Sequence, residues 1–111
     1  MRKPVVYLAG PYSRPDPIEN MHWAIKCADS LLDVCSPLVP HITGIWHLVS
    51  PKPYETWLAI DRDHVAICDA LYRFGGESSG ADQEVEYARK IGIPVFTERG
   101  ELLRFLEGWH P

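Results

Sequence analysis

The sequence has no surplus of basic residues and no long apolar run. Its 11 Lys and Arg residues are outnumbered by 15 Asp and Glu residues, for a net charge of −4, so we expect no binding to a nucleic acid polymer. No run approaches the length of a membrane-spanning helix, and the one that follows Pro4 is too short for a secretory signal. These absences predict a cytoplasmic protein that does not contact a membrane.

The sequence has few cysteines, and their spacing shows no pairing pattern. Cys27, Cys35 and Cys68 are odd in number and form no C-x-x-C motif, which argues against a disulfide framework and against a thiolate zinc site. His41 and His47 could form a metal pair, but no third ligand stands at zinc-like spacing. We therefore expect neither a metal nor a cofactor.

The composition is that of an ordinary globular domain, with 46% hydrophobic and 23% charged residues in a chain of 111. We expect a single domain over residues 1–111, large enough for one core and with little room for a second. A site shared between subunits therefore becomes plausible, and we expect a homodimer or a higher homo-oligomer.

Apolar segments alternate with helical patterns along the whole chain. Strands are predicted at 5–9, 37–39, 69–74 and 93–96, and helices at 17–35, 54–68, 81–91 and 101–109. The first helix has the clearest start, with Asp16 as its N-cap and Pro17 at its first position. It should lay one apolar stripe on the sheet, formed by Ile18, Met21, Ile25, Ala28, Leu32 and Cys35. This order predicts an α/β fold: a small, doubly wound parallel sheet of about four to five strands, Rossmann-like or flavodoxin-like, with helices on both faces.

Two carboxylates fall on the apolar sides of their helices. At about 100° per residue, Glu84 lies between Ala88 and Ile91, and Asp61 lies between Val65 and Cys68. An inward carboxylate is a functional candidate because charged groups are rarely buried without a partner. The alternatives are structural. Glu84 could be satisfied by its helix start or by a tyrosine, and Asp61 by His64 or a backbone group.

The segments that precede these helices suggest a ligand pocket. His41 and the aromatic connection through Trp46 follow the second strand, and open α/β sheets bind ligands at that end of the strands. Ser79, three residues before Asp82, suits a helix N-cap, and Gly80 permits close backbone approach. Ser78 could share that capping role, or offer its hydroxyl to a phosphate.

These residues resemble the nucleoside 2-deoxyribosyltransferase family, which includes the 2'-deoxynucleoside 5'-monophosphate N-glycosidases. The resemblance runs from Val6-Tyr7-Leu8-Ala9-Gly10 through Asp61 and Asp69 to Ser78-x-Gly80-x-x-x-Glu84 and the strand of Pro94. It implies that Glu84 is the nucleophile, that Tyr7 hydrogen-bonds it and that Asp61 serves the leaving base. Serine at position 78 resembles the monophosphate glycosidases, because transferases that use free nucleosides carry an aspartate there.

The resemblance implies an enzyme that cleaves an N-glycosidic bond through a covalent deoxyribosyl ester on Glu84. Its substrate would be a small nucleoside or nucleotide, contacted by Gly10, Ser78, Gly80, His41, Trp46 and Trp57. Either water or a second base would resolve the ester, which leaves hydrolase and transferase both open. The competing interpretation is a non-catalytic protein that binds a nucleotide or a nucleotide signal on the same fold.

Overall fold

The computed structural model describes residues 2–111 and contains a four-stranded, all-parallel sheet. The strands are β1 (Val5–Ala9), β2 (Ser36–Leu38), β3 (Ala70–Arg73) and β4 (Val95–Phe96), in the spatial order β2-β1-β3-β4. Register is set by pairs such as Val5 with Ser36 and Val6 with Ala70. β1 is central and its four residues from Val6 to Ala9 are fully buried, as expected of a strand covered on both faces.

Five α-helices cover the sheet: α1 (Pro17–Asp29), α2 (Thr43–Val49), α3 (Tyr54–Ala66), α4 (Ser79–Lys90) and α5 (Arg99–Glu107). Successive side chains of a strand point to opposite faces. On one face, Val6 and Leu8 pack with residues of α1 and α5, including Ala28 and Leu102. On the other, Tyr7 packs with α3 and α4. The predicted doubly wound α/β fold is confirmed. No helix within residues 2–111 is long and apolar enough to span a membrane.

The predicted stripe of α1 is partly wrong. Ile18 is 81% exposed, and Ile25 and Leu32 are also exposed, whereas Ala24 and Ala28 are buried. The helix ends at Asp29, so the 100° spacing does not extend to the residues beyond it. Ala28 of the helix and Leu31 of the following turn are the residues that join the core beside Val6 and Leu8.

A second difference lies in the connection after β2. Residues 43–49, expected as an aromatic loop, form α2, which follows a 3₁₀ turn at Pro40–Ile42. The segment is short, contains Gly44 and has no side-chain cap at its start, so helix signals in the sequence are weak. The helix nevertheless matters to the site, because it forms one wall of the cleft.

Candidate functional site

A cleft of about 1080 Å³ opens above the carboxyl end of β1. Its floor and walls come from the loop after β1, from α2 and α3, and from the start of α4. This is the edge at which parallel α/β sheets bind ligands, because the strand ends and helix N-termini converge there. Seven of the nine candidate residues line this one cleft: Gly10, His41, Trp57, Asp61, Ser78, Gly80 and Glu84.

Glu84 is held by the central strand. The Tyr7 side chain is fully buried, and its hydroxyl donates a hydrogen bond to Oε2 of Glu84. Alternation along β1 points Tyr7 toward α4, and α4 packs on the sheet through Ala81, Val85 and Ala88. Glu84 lies on that same side of α4, three residues after Ala81. The carboxyl group therefore faces the cleft floor rather than the outer surface.

Asp61 reaches the same place from α3. One of its carboxyl oxygens, Oδ1, is buried and has no hydrogen-bond partner among residues 2–111. No hydrogen bond joins it to His64, whose Nδ1 is also buried without a partner in the described chain. The interpretation of Asp61 as a carboxylate satisfied by His64 therefore has no hydrogen bond to support it.

Burial changes the proton affinity of all three groups. It raises the pKa of Glu84 to about 8, although the Tyr7 hydroxyl opposes the change and the Asp61 carboxyl adds to it. Burial also raises the pKa of Asp61 to about 6. The pKa of Tyr7 is raised by burial and by the Glu84 charge, so its hydroxyl stays protonated and remains a donor. Two neighbouring buried carboxyls then retain one proton between them near neutral pH, as one acid and one carboxylate.

The N-cap of α4 lies one residue before the predicted one, and the helix begins at Ser79 rather than at residue 81. Ser78, not Ser79, is the N-cap, and its Oγ accepts a hydrogen bond from Ala81 N at 3.1 Å. The hydroxyl proton of Ser78 is not used in that contact, because a capping oxygen acts as acceptor. The N–H groups of Ser79 and Gly80 have no acceptor within the helix, and both residues line the cleft.

Gly10 and Gly80 differ in what a side chain would meet at each position. A Cβ at Gly10 would stand 2.6 Å from the ring of Phe74, so packing requires glycine there. A Cβ at Gly80 would meet only Ser78 Oγ, at 4.0 Å. The predicted close backbone approach at Gly80 therefore does not involve another part of this chain, and the missing side chain keeps the cleft wall open.

The aromatic wall of the cleft is made by Trp57 and His47, which lie at 5.7 Å between ring centroids. Trp57 Nε1 donates to His47 Nδ1 at 2.8 Å. Trp46, predicted to contact a ligand, does not line the cleft. It is half exposed and its ring packs edge-on against Trp57. The segment forms the helix α2, in which neighbouring residues are turned by about 100°, so that of this adjacent pair His47 faces the cleft and Trp46 faces away from it.

His41 lines the cleft, but its side chain has a structural contact with the first loop. It is 3% exposed, and its Nε2 donates to the carbonyl of Pro11 at 2.9 Å. Burial lowers the pKa of His41, so the neutral imidazole holds the first loop in place. Within residues 2–111, no three His, Cys, Asp or Glu side chains are grouped to hold a metal ion.

Two cations at the cleft extend the candidate site. Arg14 follows the first strand and Lys52 precedes α3, and both line the cleft together with Ser13. Sequence reasoning missed Lys52, which stands between two prolines with no pattern to mark it. The loops that carry Arg14 and Lys52 are distant in sequence and come together at the cleft only in the folded chain.

A model of a protein family described as "Domain of unknown function (DUF7768)" matches residues 4–98. The chain belongs to this family. The DUF7768 match includes every residue discussed at the cleft, from Tyr7 to Glu84, and ends just before α5. No curated protein matches the chain.

The chemistry open to this DUF7768 protein follows from the carboxyl pair. A buried carboxylate that is oriented by a phenol can act as a nucleophile toward an electrophilic carbon. A second carboxyl that keeps its proton at neutral pH can act as a general acid. Glu84 and Asp61 offer both groups in one cleft, beside an aromatic wall and two cations.

Proposed function

We propose that this protein cleaves the N-glycosidic bond of a 2'-deoxynucleoside or its 5'-monophosphate, through a covalent 2-deoxyribosyl ester on Glu84. The proposal rests on one observation above all: the half-buried Glu84 carboxyl accepts a hydrogen bond from the Tyr7 hydroxyl on the floor of a cleft that Asp61 also lines. The sequence resemblance to the 2-deoxyribosyltransferase family supports the same assignment of roles.

In the proposed first step, the C1'–N bond breaks as a carboxylate oxygen of Glu84 bonds to C1' from the opposite face of the sugar. Because the two carboxyls share one proton, the reactive form is the one in which Glu84 is ionised and Asp61 is protonated. The electron pair of the broken bond leaves with the base, and Asp61 supplies the proton that neutralises it. Tyr7 orients Glu84 and crowds the sugar's 2' position, which favours a 2'-deoxy substrate. Water or a second base then attacks C1' and releases Glu84, giving hydrolysis or transfer respectively.

Substrate binding would use the rest of the cleft. The base would stack on Trp57 next to Asp61. A 5'-phosphate would accept hydrogen bonds from the Ser78 hydroxyl and the free N–H groups at the start of α4, a position that favours anions. Arg14 and Lys52 line the same cleft and would add charge-assisted contacts. We also propose a cytoplasmic protein that works as a homo-oligomer.

Intact-mass measurement tests the covalent step. The wild-type protein incubated with deoxynucleosides and their 5'-monophosphates should gain one deoxyribosyl group or release free base, and Glu84→Ala should do neither. Glu86→Ala is the matched control, because Glu86 lies on the exposed side of α4. Unchanged turnover by Glu84→Ala would remove Glu84 as nucleophile. Tight nucleotide binding by the wild type without any base release would favour the non-catalytic binding protein instead.

A further inference from the structure

The outward side of α2 carries an unusual amount of exposed apolar surface. Five large apolar residues within eight consecutive positions are at least half exposed; they form what we call the α2 outer face and are Ile42, Ile45, Trp46, Leu48 and Val49. Leu48 and Val49 are the most exposed, at 81% and 82%. Single exposed apolar residues are ordinary, but a contiguous group of this size marks an interaction surface.

The helix cannot hide this face by rotating. A Cβ at Gly44 would stand 1.9 Å from Tyr12 Oη, so the backbone of α2 is seated directly on the first loop. His47 is fixed on the cleft side by Trp57 Nε1 and by the N–H of Lys52, at 2.8 and 3.2 Å. The inner side of α2 is thus fully engaged, and these contacts turn the apolar side outward.

The charge of the region limits what can cover it. The 18 residues from Val34 to Pro51 include no Asp, Glu, Lys or Arg. Interfacial membrane helices carry Lys and Arg on their polar side, and α2 has neither, in a chain of net charge −4. A strongly charged partner would find no complementary group here. A second copy of the chain meets the same uncharged surface, which pairs with itself across a two-fold axis.

The exposed area agrees with such a pair. With ordinary residue areas, the exposed fractions of the five residues amount to about 650 Å² per copy, more than the largest apolar patch of most monomers. If all of this surface were covered, two copies would together bury about 1300 Å², near the lower end of the range for specific protein interfaces. Trp46 supplies a half-exposed aromatic anchor that is braced by Trp57, and tryptophan is enriched among the residues that carry binding energy.

We propose that two copies of this chain dimerise through the α2 outer face. The contact would stabilise a wall of the cleft, because Thr43, Gly44 and His47 line the cleft from the other side of the same helix. The proposal stands apart from glycosidic bond cleavage, since it concerns assembly alone.

Sedimentation equilibrium tests the proposal without reference to activity. The wild type should be a dimer, and Leu48→Glu should weaken the dimer at least about 100-fold by placing like charges across the axis. Ile67→Glu is the control, because Ile67 is 70% exposed where the strands begin, away from α2. A monomeric wild type, a dimeric Leu48→Glu protein, or equal dissociation of both variants would overturn the proposal.

Two further measurements make the result independent of that one variant. Val49→Thr keeps the shape of the side chain and replaces one methyl group by a hydroxyl. This variant should also weaken the dimer, while its circular dichroism spectrum stays native. In the wild type, dilution should accelerate amide hydrogen exchange in residues 42–49 and leave α4 unchanged. Co-sedimentation with vesicles that contain phosphatidylglycerol should be absent. Uniform exchange on dilution, or vesicle binding that competes with dimerisation, would contradict the assignment.

Discussion

Replacing Glu84 with Gln should make the protein more stable than the wild type at about pH 8. Burial, the largest cause, raises the pKa of Glu84 from 4.5 to about 8, whereas the unfolded chain restores its ordinary value. Between these two pH values the native state holds a proton that the unfolded state has lost, so the free energy of unfolding falls as pH rises. The contribution of Glu84 is fully present below its unfolded pKa and is lost as pH rises through its folded pKa.

The size of the effect follows from the same pKa difference. If it belonged to Glu84 alone it would correspond to on the order of 5 kcal/mol. Because Asp61 shares the proton, we expect the wild type to lose about 2–4 kcal/mol between about pH 5 and pH 8. Glutamine carries no charge at any of these pH values. Its carbonyl can accept the Tyr7 hydroxyl, and its amide can donate to the buried Asp61 Oδ1, which has no donor in the described chain.

Urea unfolding of wild type and Glu84→Gln across this pH range measures the effect. The variant should show a flatter pH dependence and exceed the wild type by about 1–3 kcal/mol at pH 8. His41 has a lowered pKa and so adds stability as pH rises, but it does so in both proteins and cancels in their difference. Glu86→Gln, on the exposed side of α4, should follow the wild type. Parallel curves for wild type and Glu84→Gln would refute the assignment of a buried, protonated carboxyl at this position.

Three other predictions concern the cleft. Asp61→Asn should slow poor leaving groups far more than activated ones, measured as kcat/KM for a series of bases, because acid help matters most when the departing group is basic; an equal loss for all bases would assign Asp61 to binding. Ser78→Asp should reverse a preference for the 5'-monophosphate over the free nucleoside of on the order of 1–3 kcal/mol, and a wild type that prefers the free nucleoside would contradict the phosphate assignment. Gly10→Ala should cost about 1–3 kcal/mol in urea unfolding, because its Cβ would overlap the Phe74 ring; unchanged stability would mean that the ring moves aside freely.

The fold was readable from the sequence where a local signal and the global arrangement agree. The run of Val5 to Ala9 is apolar throughout, as a central parallel strand must be, and Asp16 with Pro17 marks a helix start that the structure confirms. The helix α2 was not predicted, because its seven residues combine a glycine with weak helix formers. Packing against Tyr12, which is distant in sequence, holds that helix in place, and no local pattern encodes such a contact.

The candidate site likewise contains some residues that the sequence revealed and others that it did not. Glu84 and Asp61 stood out because each breaks the apolar side of a periodic helix, and the structure brings both to one cleft. Lys52 gave no signal because its loop position depends on how α2 and α3 are joined. For Trp46 and His47, in a segment taken as a loop, the sequence does not tell which of the two adjacent aromatic residues points toward the cleft.

The proton held between the two buried carboxyls links ligand charge to proton exchange with the solvent. Two cations, Arg14 and Lys52, and three carboxyl groups, of Asp61, Glu77 and Glu84, line the cleft; with one carboxyl protonated, their formal charges balance. A phosphate dianion that enters this cleft would disfavour the carboxylate that remains in the pair of Asp61 and Glu84, and that pair would take up a further proton from solution. Anion binding would then strengthen as pH falls, and its calorimetric enthalpy would change with the ionisation heat of the buffer. A neutral nucleoside would bind without that dependence, so the buffer series alone would distinguish the two classes of ligand.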